Sequence, residues 1–316
     1  MADTFDFIVS GAGSAGAAVA ARLSESGKHS VLLLEAGPPD TNPWIHIPLG
    51  FAKTYVDKSV NWKFESEPQP QFGGRRIYVP RGRTLGGTSS INGMVYMRGN
   101  HRDYDDWRQM GCVGWDWDSV LPYFKKAQNQ TRGPSELHGV GGPLNVSDAV
   151  ERSELADAMI AAAGKLGIPG TDDFNGERQE GAGYYQSTTF ARRRWSTAKA
   201  YLEPARFRPN LEIRASCQAT KVLIENGRAV GVEYRSARGT ETGPAQHLRD
   251  TGIDIVRDLP GVGGNLHDHF GTYMMWRCTK PITMNDLENS WPRKIAAAAR
   301  YALFSKGPMA LNGIRA

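Results

Sequence analysis

The chain has 316 residues, with 38 Lys and Arg against 33 Asp and Glu and a formal charge of +5. With 40% hydrophobic and 22% charged residues the composition fits an ordinary soluble protein, and the charge is modest for this size although it favours acidic surfaces or membranes. No run approaches the roughly 18 apolar residues of a membrane span. Three widely spaced cysteines, Cys112, Cys217 and Cys278, make no metal or redox spacing. They point to a reduced, cytoplasmic setting, with peripheral contact to the inner membrane left open.

An apolar strand is expected over Phe5 to Ser10, a glycine turn over Gly11 to Gly16, and a helix of small residues over Ala17 to Ser24. Gly27 closes that helix, and Ser30 to Leu34 reads as a second buried strand ending at Glu35, which completes a β-α-β unit. Residues Gly37 to Pro80 are rich in Pro, Asn and aromatics and read as long loops with little regular structure. Further on, a helix is expected from about Asp118, and another over Ser153 to Leu166 with Ser153 as N-cap and Gly167 as stop. Thr220 to Glu225 and Arg228 to Arg235 form a hairpin around Asn226-Gly227, and Ile295 to Phe304 a last amphipathic helix. Arg192, Arg193 and Arg194 are the densest basic cluster and read as a solvated surface loop rather than a nucleic-acid site.

Gly11, Gly13 and Gly16 are spaced as a dinucleotide fingerprint, with a strand before and a helix after. Gly11 permits the tight turn, Gly13 lets backbone approach a pyrophosphate, and Gly16 allows close packing of helix on strand. The helix start through Ser14 and Ala15 offers unpaired N–H groups to phosphates. Glu35, with Ala36 after it, stands where an adenosine ribose would be held. A hydrolase nucleophile elbow shares the strand-turn-helix setting, but Ser14 is out of register for it and Glu35 has no explanation there.

A second glycine cluster separates the flavin nucleotide from the nicotinamide one. Arg81, Thr84, Leu85, Gly86, Gly87, Thr88, Ser89, Asn92, Gly93, Met94 and Val95 place hydroxyl and amide donors beside bare backbone. Such a row suits a pyrophosphate that continues into the polar edge of a flat ring. The run Gly82-Arg83-x-Leu85-Gly86-Gly87-Thr88-Ser89-x-Ile91-Asn92, followed by Tyr96, Gly99 and Asp105, resembles the first signature of the glucose-methanol-choline (GMC) oxidoreductases, in their choline-dehydrogenase-like branch. The likeness continues through Leu32 to Gly37, Phe174 to Gly176, Arg194 to Leu202 and Leu259 to His269.

The resemblance implies an α/β, Rossmann-type FAD-binding domain with a discontinuous α+β substrate-binding domain, here incomplete. Residues 1–273 would form the FAD-binding region and 274–316 the start of the substrate domain. It implies an FAD-dependent oxidoreductase acting on CH–OH groups of a small-molecule alcohol, with oxygen or a quinone-like carrier as acceptor. The alternatives are a non-catalytic FAD-binding fragment, or a GMC-type lyase or decarboxylase. Val222, on a strand passing the adenine from Ala219, joins the expected cofactor residues. Some relatives attach FAD through a His aligned near Ile91; isoleucine cannot, so non-covalent FAD is expected.

The chain also departs from the pattern. A third buried strand and the second signature are expected after the hairpin, yet Arg238 to Thr242 runs straight into Gly243-Pro244. A strand is therefore missing near 242–243, which would leave its neighbour with an open edge. His267-Asp268-His269 reads as a structural turn rather than a metal or acid-base site, so no metal and no catalytic base are assigned.

Overall fold

The computed structural model describes residues 4–149, 151–235 and 277–311. Strand β1 (Phe7–Ser10) starts two residues later than predicted, because Asp6 turns aside to bond Ser30. There the Ser30 Oγ accepts from the Asp6 amide at 2.9 Å, and the Asp6 carboxylate from the Ser30 amide at 2.7 Å. Helix α1 (Ser14–Leu23) starts three residues earlier than predicted, since the glycine turn is complete at Gly13. Its buried Ala17, Ala20 and Ala21 recur at helical spacing, and their small side chains seat the helix on the sheet. Strand β2 (Val31–Leu34) is buried at all four residues, as a strand covered on both faces must be.

The Pro-rich stretch is not featureless: it holds single helical turns at Pro43–His46 and Phe51–Thr54, and Phe64-Glu65 pairs with Tyr78-Val79. Asn100 and Asp103 form a capping box that starts α2 (His101–Gln109). Helix α3 (Trp117–Ala127) is capped by Asp116, and its last turn leads into β3 (Gln128–Gln130), which pairs in parallel with β4 (Leu144–Val146). Helix α4 (Glu154–Lys165) has the expected cap, the Ser153 Oγ accepting from the Ala156 amide at 3.1 Å. Gly167 follows at φ +81°, the left-handed conformation of a helix stop.

Strand β5 (Leu211–Arg214) joins the first two, giving a parallel sheet of order β1-β2-β5. The hairpin of β6 (Gln218–Glu225) and β7 (Arg228–Arg235) turns at Asn226 and Gly227, both with positive φ as a two-residue turn requires. Two helices follow, α5 (Met284–Glu288) and α6 (Trp291–Phe304), the latter four residues longer at its start than the apolar pattern indicated.

The core lies between α1, the sheet and a π-helical turn at Ala198–Leu202, and unites Ala12, Ala17, Ala20, Val31, Leu33, Ala198, Leu202, Ala205 and Leu211. A buried leucine such as Leu33 stabilises this contact by roughly 1.5–3 kcal/mol. Among the described residues β1 has a partner on one side only, and its residues are half-buried or exposed where those of β2 are buried. The expected strand gap near 242–243 and the His267-Asp268-His269 turn lie outside the described residues.

Candidate cofactor cleft

The C-terminal ends of β1 and β2 open into a cleft of about 420 Å³. Its walls include Gly11, Gly13, Ser14, Glu35, Ala36, Arg81, Gly87 and Thr88 of the predicted set, and this is the place where an open parallel sheet takes its ligands. Gly11 adopts φ +89°, open to glycine and strained for other residues. Gly13 is the N-cap of α1 and supplies no side-chain cap, so the first amides of the helix remain available to an anion. Gly16 is needed for the turn more than for the strand: a Cβ there would stand 1.9 Å from the Gly11 carbonyl oxygen and 3.4 Å from the Val9 side chain.

The two glycine clusters touch. The Gly86 amide donates to the Ala12 carbonyl at 2.8 Å, and a Cβ on Gly87 would lie 2.6 Å from the Gly13 Cα. Gly37 closes against the same segment, where a Cβ would meet the Arg83 carbonyl oxygen at 2.0 Å. A Cβ on Gly13 would meet the Gly87 Cα at 4.0 Å, an ordinary contact. The result is a cradle of bare backbone, built for a ligand that lies flat against peptide groups.

Glu35 holds this cradle in shape. Its carboxylate accepts from the Ala12 amide and the Gly37 amide, both at 2.8 Å, and the residue is 5% exposed. Burial pushes its carboxyl up from the ordinary value, against the opposing pull of the Gly37 and Ala12 amides and of Arg83. The Thr88 hydroxyl accepts from the Gly82 amide at 3.1 Å, which leaves its own O–H as a donor.

The remaining predicted residues are not among those that line the cleft. Thr84 is fully buried and bonds the Pro38 carbonyl at 2.9 Å, while Leu85 packs against the main core. The Ser89 hydroxyl donates to the Gly86 carbonyl at 2.6 Å, Met94 is buried at φ +63°, and Val95 bridges to Ser187. Gly93 is buried, Ala15 is exposed on the first turn of α1, and Asn92 is half-buried. Val222 is 52% exposed on the hairpin, and Gln218 and Ala219 are the residues of its strand that reach the cleft.

Sequence reasoning missed one wall. Trp62 and Phe64 stack with ring centroids 5.6 Å apart and 8° between planes, and both line the cleft. Their alternation on an extended segment was the available signal, since residues two apart share a face. The Arg83 guanidinium lies 5.1 Å over the Trp62 ring, and its Nε is buried without an acceptor among the described residues. Cys217 and Gln218 complete the opposite wall, with the Cys217 amide bonded to the Glu35 carbonyl at 2.7 Å.

The motif residues beyond the cleft also meet. The Asn175 side chain accepts from the Arg98 amide at 2.7 Å and donates to the Tyr96 carbonyl at 3.1 Å, which joins Phe174 to Gly176 with the end of the glycine-rich signature. Among the described residues there is no group of three His, Cys, Asp or Glu able to hold a metal, and no helix long and apolar enough to cross a membrane.

A parallel βαβ sheet, an uncapped helix start and a carboxylate at the end of the second strand define a dinucleotide-binding domain of Rossmann type. The chain belongs to the GMC oxidoreductase family, whose N-terminal model matches residues 5–271. It is 42% identical to the oxygen-dependent choline dehydrogenase of Brucella ovis over 332 aligned positions, covering 97% of this chain and 60% of that protein. A protein of the same description from Rhizobium rhizogenes is 41% identical, with 96% of this chain and 59% of the relative covered. Among solved structures, an FAD-dependent oxidoreductase from Chaetomium thermophilum matches with a TM-score of 0.84 at 27% identity, over 98% of this chain and 60% of that one. Pyridoxine 4-oxidase from Mesorbium loti matches with a TM-score of 0.74 at 30% identity, over 81% and 56%.

Proposed function

We propose that this chain is the FAD-binding portion of an oxidoreductase that converts an alcohol to an aldehyde or ketone. The observation that carries the reading is the contact between the two glycine clusters, which lines one cleft with backbone on two sides. A nicotinamide site needs only the first cluster; the second fits a longer nucleotide whose diphosphate runs on into a ring. The relatives' descriptions support an alcohol such as choline as substrate and oxygen as acceptor.

The residues present fit the cofactor. The first amides of α1 would hold the diphosphate, Glu35 the ribose side, and Thr88 and Asn92 would supply further donors. Bound FAD supplies a hydride acceptor, while the protein orients it and keeps water from its face. Ile91 supports a non-covalent mode: it is fully buried with Ile45 and Val60, and it has no nucleophilic atom. The purified chain should carry flavin absorbance or take up added FAD. In the protein that carries this chain, choline and a panel of primary alcohols should bleach that absorbance without oxygen. A chain that refuses FAD and holds another nucleotide overturns the cofactor; a flavin that no alcohol bleaches overturns the reaction.

A further inference from the structure

Three consecutive arginines were expected to lie in a solvated loop. That holds for Arg193, which is exposed, but Arg194 is 2% exposed. The cause is a tight hairpin: Ala191 and Arg192 both have positive φ, so Phe190 pairs with Arg193 and Thr189 with Arg194. Successive side chains on a strand face opposite ways, and the second arginine of that pair is therefore driven inward.

The buried guanidinium is held entirely by uncharged acceptors. Its Nε donates to the Ile45 carbonyl at 2.7 Å, and its two terminal nitrogens to the Ser89 and Asn92 carbonyls and the Asn92 Oδ1, at 3.0, 2.7 and 2.8 Å. No carboxylate among the described residues pairs with it. Burial pushes its pKa down to about 9, which still leaves it charged at neutral pH. An ion so placed is expensive to bury unless an anion compensates it or a function needs it.

Its effect on Asn92 is specific. The Asn92 Oδ1 accepts from Arg194 and from the Met94 amide at 3.1 Å, so two donors set which way the side-chain amide faces. The Nδ2 is then the free end, with no acceptor among the described residues. We infer that Arg194 is a positioning residue of the flavin site: it locks the Asn92 amide so that Nδ2 donates to the cofactor, and it places an uncompensated positive charge behind the Ser89–Asn92 loop. This rests on the cofactor reading above and extends it to a residue outside the glycine clusters.

Replacing Arg194 outright would strand three carbonyls and confound binding with misfolding, so Asn92→Asp is the decisive change. An aspartate keeps an oxygen toward Arg194 and the Met94 amide, but it removes the free donor and neutralises the buried cation. The expected result is a chain that melts no lower than wild type yet binds FAD at least about tenfold more weakly. Its two-electron flavin midpoint should fall by about 30 mV or more, a tenfold preference against the reduced cofactor. Arg194→Lys, which keeps the charge but not the fork, should fall between the two. Flavin fluorescence on FAD titration and redox-dye equilibration read these quantities. A wild-type chain that takes up no FAD overturns the cofactor reading and this inference together. If wild type binds FAD, and Asn92→Asp matches it in affinity and midpoint, the inference alone is overturned.

Discussion

Gly13 and Gly87 face each other across the cradle, and an added methyl group should act in opposite ways at the two positions. At Gly87 the backbone has φ +51°, where an alanine costs about 1–2 kcal/mol. Its Cβ would also lie 2.6 Å from the Gly13 Cα, a backbone atom that cannot rotate away. Relief requires the loops to separate, which loosens the hydrogen bond from the Gly86 amide to the Ala12 carbonyl, worth about 1 kcal/mol. Gly87→Ala should therefore destabilise the chain by about 2–3 kcal/mol. Gly13 has φ −72°, and a Cβ there would meet nothing nearer than the Gly87 Cα, at 4.0 Å. There the weaker N-cap costs about 0.5–1 kcal/mol, and the reduced freedom of the unfolded chain returns about as much. Gly13→Ala should thus leave stability within about 0.5 kcal/mol, while its methyl group enters the cleft and lowers FAD affinity tenfold or more, about 1.4 kcal/mol. Urea unfolding of the FAD-free chains and FAD titration separate the two effects. A Gly13→Ala chain that loses about 2 kcal/mol, or binds FAD like wild type, would refute this account of the cradle.

Glu35→Ala should leave the Ala12 and Gly37 amides without their acceptor and lower stability by about 2–4 kcal/mol, measured by urea unfolding without cofactor. An unchanged midpoint would mean that Glu35 acts on the ligand alone. Asp173 is a test of pH dependence. Burial pushes its carboxyl up, but the His138 Nε2 at 2.7 Å and the Asn175 amide pull harder, and it lies below the ordinary value of 3.8. A depressed carboxyl contributes stability that is present above the unfolded value and lost as pH falls through the folded one. Asp173→Asn should therefore be less stable than wild type near neutral pH, with the gap closing below about pH 4. Thermal melts across that range check it; a gap constant with pH would show that ionisation of the Asp173 carboxyl contributes nothing.

How much of this was legible in advance depends on the range of the interactions involved. Asn226-Gly227 marked its hairpin and Ser153 its helix start because a turn or cap is decided within four residues of chain. The β-α-β unit was equally readable, since its glycine spacing and its Val31–Leu34 run are local patterns; only the boundaries moved, by two or three residues, where Asp6 and Gly13 redirected the backbone. The glycines that line the cleft were marked by the same short-range spacing.

What the sequence alone determined, then, were the elements and the two glycine clusters, because φ preferences and side-chain periodicity act between near neighbours. Only the tertiary structure decided that the clusters meet, that Trp62 and Phe64 wall the cleft, and that Glu35 spends both carboxylate oxygens on backbone amides. It also reversed the reading of Arg194: an Ala-Arg pair carries no turn signal, so nothing local announced the hairpin that turns this charge inward. The partners of Arg194 lie about 100 to 150 residues away in the chain, and separation on that scale leaves no trace in local sequence.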